Sequence, residues 1–148
     1  DRVYLAGISM GGLTGSLTVG NHPDRFAAAA VLMPVTDLKS WYLEKKPYEQ
    51  INADIIKECG GTPEQMPEEY AMRSALPLAS SLTKVPLMIY HGRWDATVSP
   101  AQADQLIEAI VKSHPDHLYV IWFDGDHSQD LIDRDRVLDF LDGFSRKN

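Results

Sequence analysis

Cys59 is the only cysteine in the chain, so neither an intrachain disulfide nor a cysteine-built metal site can form. Unpaired, it reads as a small buried side chain near a turn and leaves the redox compartment open. Long hydrophobic runs are missing as well. No apolar stretch approaches the roughly 20 residues that span a bilayer, which argues against a membrane partner. Basic residues are outnumbered, 14 against 21 acidic, for a formal charge of −7, and the acids are spread along the chain. Nucleic acid is bound by clustered positive charge, so it is excluded as a partner. Internal repeats, low-complexity tracts and interdomain linkers are absent too. What is present is 148 residues of 44% hydrophobic content, the makings of one globular domain. Asp1 and Arg2 lead straight into an apolar run, so the chain is expected to begin inside a domain rather than before one.

The most informative segment is Gly7-Ile8-Ser9-Met10-Gly11, placed where the extended run Val3 to Ala6 gives way to a small-residue helical pattern. A match to three fixed Gly and Ser positions turns up by chance in roughly one chain in twenty of this length. Its context is what counts. A sharp turn from strand to helix crowds the backbone, so the residues two before and two after the central serine are expected to lack bulk, as Gly7 and Gly11 do. Such a turn lifts the Ser9 hydroxyl above the sheet edge. The helix that follows aims free N–H groups at the same spot, so the Met10 amide can donate to a developing oxyanion.

Four segments read as buried parallel strands: Val3 to Ala6, Ala27 to Met33, Pro86 to His91, and Leu118 to Phe123. Helical sequence follows each. Gly12 to Val19 comes after the first, closed by Gly20-Asn21. After the third, Ser99-Pro100 forms an N-cap and first helical residue, and Ala103, Leu106, Ile107, Ile110 and Val111 share a face. After the fourth, Leu131, Leu138, Leu141 and Phe144 suggest a terminal amphipathic helix. The alternation predicts an α/β fold, a mainly parallel sheet of about four strands with helices on both faces. Between the second and third strands, residues 34–84 form a polar excursion with helical patterns at Tyr48 to Lys57 and Glu64 to Ser74. It is expected to pass over the carboxyl ends of the strands, where such sheets bind ligands.

A serine hydroxyl is a weak nucleophile and needs a base, which in turn needs an orienting group. Asp95, in the loop His91 to Val98 after the third strand, is the candidate acid. Asp124 and Asp126 are rivals, but they lie too close in sequence to the candidate base to orient it from behind. That base is His127, in Asp124-Gly125-Asp126-His127-Ser128 past the fourth strand. His22 lies beyond the first helix, His114 and His117 at the opposite end of the sheet. His91 precedes Asp95 and is expected to brace the turn through backbone bonds.

The order Ser9, Asp95, His127 is the chain order of α/β-hydrolases. Gly-Ile-Ser-Met-Gly-Gly, Asn21-His22-Pro23-Asp24-Arg25-Phe26-Ala27-Ala28-Ala29, Pro34-Val35-Thr36-Asp37, Trp41-Tyr42 and the His91 to Val98 loop together resemble the catalytic domain of the prolyl oligopeptidase family. The resemblance spans nearly the whole chain but only the carboxyl-terminal part of that domain, a partial α/β-hydrolase fold. It implies Ser9 as nucleophile, Asp95 as orienting acid and His127 as base, with Trp41, Tyr42 and Val98 as walls of an acyl-side pocket, although aromatics there could equally be core. It implies no metal or organic cofactor. The histidine loop departs from the family pattern, reading Asp-His-Ser where glycines are usual.

These readings lead to a serine hydrolase cleaving peptide bonds through an acyl-enzyme. A carboxylesterase is the nearest alternative, and a catalytically inactive binding or dimerisation module the alternative of another class. The partner is then a peptide or small ester. The family's early strands and the loop giving the second oxyanion donor are not in this sequence, so the isolated chain is expected to be feeble. The edge of the first strand is expected to pair with missing upstream strands or with another copy.

Overall fold

The computed structural model of the chain describes residues 2–44 and 49–145. Its centre is a four-stranded sheet in the order β1 (Tyr4–Ile8), β2 (Ala28–Leu32), β3 (Leu87–Gly92), β4 (Leu118–Phe123), and every neighbouring pair is parallel. Strand periodicity sorts the core into two layers. Ala29, Val31, Leu87 and Ile89 face one way, onto α1 (Met10–Asn21) and α6 (Pro100–Lys112), while Ala28, Ala30, Leu32, Met88 and Tyr90 face α7 (Arg134–Asp142). Helices therefore cover both faces, as the alternation predicts.

Burial differs from expectation at the margins. Only the inner strands β2 and β3 are buried throughout. Val3 and Ala6 are exposed at one edge, and Tyr119 and Val120 at the other, because β1 and β4 each have a single neighbour. α1 continues through Gly20 and Asn21 rather than stopping before them. It packs close because its inner residues are small: a Cβ on Gly12 would press on Pro34, and one on Gly15 on Leu5.

On α6 the buried stripe is Gln102, Ala103, Leu106 and Ile110, with Val111 exposed. The last helix starts later than its leucines suggest. Asp133 caps it by accepting from the Arg136 amide, and Val137, Phe140 and Leu141 are its buried face. Leu131, in a 3₁₀ turn before it, and Leu138, one residue out of register with that face, are exposed.

Residues 34–84 carry α2 (Leu38–Glu44), α3 (Glu49–Cys59), α4 (Pro67–Met72) and α5 (Ala79–Leu82). The expected helix start at Tyr48 lies outside the described residues, and α4 is shorter than Glu64 to Ser74. α2, α3 and α4 close a third core of Val35, Leu38, Trp41, Ile55, Cys59 and Tyr70 against Leu13 of α1 and Val98. Among the described residues, no helix is long and apolar enough to cross a membrane.

Candidate active site

Ser9 sits between the end of β1 and the first turn of α1 with φ 57° and ψ −121°. A non-glycine residue held at positive φ costs about 1–3 kcal/mol and persists only where the surroundings enforce it. Here they do. The Ser9 amide donates to the Leu32 carbonyl at the end of β2 at 2.8 Å, and the Ser9 carbonyl accepts from the Leu13 amide. Of the two glycines expected to relieve crowding, Gly7 alone does so: a Cβ there would collide with the Gly11 carbonyl. Gly11 faces open space, with nothing near the position a Cβ would take. The second crowded position is Gly12, under Pro34. Met10 opens α1, so its amide has no carbonyl four residues back within the helix.

The loops after β3 and β4 are laced together. Arg93 and Trp94 amides donate to the Phe123 and Gly125 carbonyls at 2.9 and 3.0 Å. The lacing is possible because a Cβ on Gly92 would lie 2.5 Å from the Gly125 carbonyl. This brings Asp95 and His127 together although 32 residues separate them. His127 Nδ1–H donates to Asp95 Oδ2 at 2.6 Å, and the Ser9 hydroxyl donates to His127 Nε2 at 2.9 Å. Asp95, the His127 ring and the Ser9 hydroxyl thus stand in one line, and a proton on Nδ1 facing the carboxylate would leave Nε2 to face the hydroxyl.

Asp95 is fully buried, and four groups surround it. Its Oδ1 accepts from the Thr97 and Val98 amides at 2.9 and 2.8 Å, and the His91 ring lies 3.5 Å from Oδ2. Burial pushes its carboxyl up, but the bonds from His127 and the Val98 amide, with the two imidazoles, outweigh burial and hold it below its ordinary range. His91 is buried and donates through Nε2–H to the Val98 carbonyl at 2.9 Å, bracing the turn. Burial pulls its pKa down, and Nδ1 has no hydrogen-bond partner among the described residues. The rival acids are occupied elsewhere: Asp124 pairs with Arg93, and Asp126 accepts from the Ser128 amide in an Asx turn. That turn shapes the histidine loop where glycine would otherwise do so.

Beside Ser9 opens a cleft of about 510 Å³. Of the three wall residues named from the sequence, Trp41 lines it, and its indole N–H donates to the Thr97 carbonyl at 3.0 Å, tying α2 to the Asp95 loop. Tyr42 packs edge-on against Tyr70 instead. Val98 is wholly buried and contributes its backbone to Asp95 and His91. Neither lines the cleft, whose walls are Leu13, Leu17, Leu38, Ile51 and Ile55.

Sequence reasoning also missed Gln102. Its buried carboxamide accepts from the Thr36 and Asp37 amides, both at 2.9 Å, and donates to Ser40, clamping the loop that leads into α2. The signal was available, since a glutamine sits four residues before Leu106 in an otherwise apolar stripe. Among the described residues, no group of three or more His, Cys, Asp or Glu side chains could hold a metal ion.

Comparison with known proteins gives concordant results. The model of the prolyl oligopeptidase family matches residues 1–147. An uncharacterized peptidase of Bacillus subtilis, YtmA, is 29% identical over 114 residues, which is 77% of this chain and 43% of that protein. Dipeptidyl peptidase family member 6 of Caenorhabditis elegans is 30% identical over 130 residues, 86% of this chain and 17% of that protein. The chain thus spans less than half the length of the curated relatives it matches. Among solved structures, an acylaminoacyl peptidase in complex with Z-Gly-Gly-Phe-chloromethyl ketone superposes with a TM-score of 0.80 at 21% identity, covering 100% of this chain and 24% of that one. A puromycin hydrolase gives 0.66 at 27% identity, with 86% and 19% covered. The first likeness is one of fold, and it agrees with the parallel sheet described above.

Proposed function

The chain belongs to the prolyl oligopeptidase family, and from that premise we propose that it is the carboxyl-terminal portion of the catalytic domain of a serine peptidase working through an acyl-enzyme. Ser9 Oγ attacks the carbonyl carbon of the scissile bond while His127 Nε2 takes its proton. Asp95 holds the imidazole and stabilises its cationic form, and the Met10 amide donates to the oxyanion. His127 then returns the proton to the leaving amine, and water releases the acyl group by the same route. The observation that carries this reading is the unbroken line from Asp95 through His127 to Ser9, at 2.6 and 2.9 Å, ending on a serine held at positive φ.

The helices between residues 34 and 84 serve as the cover of this site. The open edge of β1 takes a further strand, from a longer chain or from a second copy, since an apolar parallel edge is stable only when paired. One oxyanion donor is half the usual pair. Removing one typically costs ~10²–10³ in rate, about 3–4 kcal/mol, so the 148-residue chain by itself reacts slowly.

A fluorophosphonate probe tests the assignment. Covalent labelling that maps to Ser9 and vanishes in Ser9→Ala supports it. A folded chain that stays unlabelled under prolonged excess of probe supports instead a module that binds without catalysing. Native mass measurement tests the edge: dimers, or tight uptake of a complementary upstream piece, support pairing, whereas a monomer indifferent to both opposes it.

A further inference from the structure

We propose that His91 is a positioning residue for the reaction: beyond bracing its turn, it fixes the Asp95 carboxylate, draws on its charge, and so tempers its pull on His127. The inference rests on Ser9 being the nucleophile.

His91 belongs to β3, which is buried along its whole length, and the Trp122 ring of β4 lies against the imidazole at 5.8 Å between centroids. The ring is therefore tightly confined. Its Nε2 lies 2.9 Å from the Val98 carbonyl oxygen and 3.5 Å from Asp95 Oδ2, and both neighbours are acceptors, which puts the proton on Nε2. The shorter contact is a full hydrogen bond. The longer one reaches Asp95 only as a dipole, yet both side chains are at most 1% exposed, so the field between them is poorly screened.

Two holds on Asp95 thus pass through one ring. The carbonyl that His91 grips belongs to Val98, whose amide cradles Oδ1 at 2.8 Å, while the Nε2–H faces the same Oδ2 that His127 meets at 2.6 Å. The other ring nitrogen argues that histidine is kept for this purpose. Nδ1 is buried with no partner among the described residues, a cost that a side chain serving only to fill the core would not carry.

A base in acyl transfer must return its proton to the leaving group. A carboxylate whose charge fell wholly on His127 would hold the cationic ring too well, and the His91 dipole takes up part of that charge. His91 itself stays neutral at neutral pH, because burial pulls its pKa down. The charged and titratable groups acting on it are Asp95, His127 from the loop after β4, and Asp104 of α6.

The test uses the whole chain and follows the rate of fluorophosphonate capture against pH. In capture the Ser9 Oγ–P bond forms, the P–F bond breaks with its electron pair leaving on fluoride, and the Ser9 proton passes to His127 and on to water. His91→Leu, of comparable bulk, is expected to slow the plateau about tenfold, the size of one lost hydrogen bond. Its acid limb should also move to higher pH, since Asp95 then stabilises the cationic His127 without a competitor. His91→Gln carries an N–H at the reach of Nε2 on a looser stem, and should bring the limb back toward that of the unaltered chain. A merely structural His91 would lower the captured fraction and leave the limb in place. An acid limb of His91→Leu that stays put or moves to lower pH therefore overturns the inference, as does a His91→Gln limb that matches it. Should His91→Leu fail to fold, the nitrogen-15 spectrum of the His91 ring in the unaltered chain decides: a proton on Nε2 whose signal moves in Asp95→Asn supports the inference, and a proton on Nδ1, or an Nε2 signal blind to that substitution, overturns it. A folded, unaltered chain that is never captured overturns the assignment of Ser9 itself, and the ring spectrum then still decides whether His91 acts on Asp95.

Discussion

The reactive rim and the cleft beside it lie on the same carboxyl end of the sheet but are built by opposite means. The rim is polar and made by backbone: Ser9 hangs from the Leu32 carbonyl, Asp95 is cradled by two amides, and the loops bearing Asp95 and His127 are stitched to each other. The cleft is apolar and made by side chains of α1, α2 and α3, which meet only because the excursion folds back onto α1 and Val98. Precise placement of a few groups therefore depends on backbone bonds of short loops, while the shape of the cleft beside them depends on long-range packing. The two should fail differently when perturbed.

The largest effect expected at the rim is from Asp95→Asn, which keeps an acceptor for the Thr97 and Val98 amides but presents an amide to His127. Fluorophosphonate capture should slow by roughly 10³–10⁴-fold with the fold retained. An unchanged rate would mean that Asp95 does not orient the base. A cleft change of similar boldness, Ile55→Ala, should cost about 2–3 kcal/mol in denaturant unfolding yet leave capture of the small probe within about twofold, because no group of the rim moves.

Next in size is Gly7→Ala. Its methyl would meet the Gly11 carbonyl, and backbone cannot yield as a side chain can, so stability should fall by about 1–3 kcal/mol or more, together with the positive-φ geometry of Ser9. Circular dichroism melts and labelling rates should drop together.

His91→Gln should cost about 1–3 kcal/mol at neutral pH by weakening the hold on the Val98 carbonyl, and the cost should depend on pH. Burial sets the folded pKa of His91 below its ordinary 6.5, so the unfolded chain binds this proton first. Its contribution is fully present above about pH 6.5 and is lost as pH falls from there through the folded value. The groups facing it, Asp95, His127 and Asp104 of α6, are retained in the variant. Unfolding curves of the two proteins should accordingly converge on acidification. A gap that widens instead would mean that His91 is charged in the fold.

The smallest effect belongs to Gly11→Ala, within about 0.5 kcal/mol and without change in labelling, since nothing lies near the added methyl. A large loss there would restore the pairing of Gly7 and Gly11 as joint spacers.

The same contrast explains what could be read in advance. That Ser9, Asp95 and His127 come near one another was legible because each follows a strand-like run, and parallel strands carry their following loops to one edge; the two covered faces followed from the same alternation, whereas the strand order was not foreseen. Trp41 was legible through its motif, but its neighbours on the cleft were not. Ile51 and Ile55 come from a helix whose packing partner, α1, lies far away in sequence, and no local pattern states which of its faces turns to Ser9. Tyr42 and Val98 lie off this cleft for that reason: one turns to Tyr70, the other lends its backbone to Asp95. Leu138 misled because a leucine off the stripe looks like one on it until the register of Val137 and Phe140 is known.

The most direct measurement is the nitrogen-15 spectrum of the His127 ring in the intact chain, at a pH where the imidazole is neutral. The account predicts a protonated Nδ1 bonded to Asp95 and a bare Nε2 whose signal shifts in Ser9→Ala. A proton found on Nε2, or an Nε2 signal unmoved by loss of the serine hydroxyl, would contradict it.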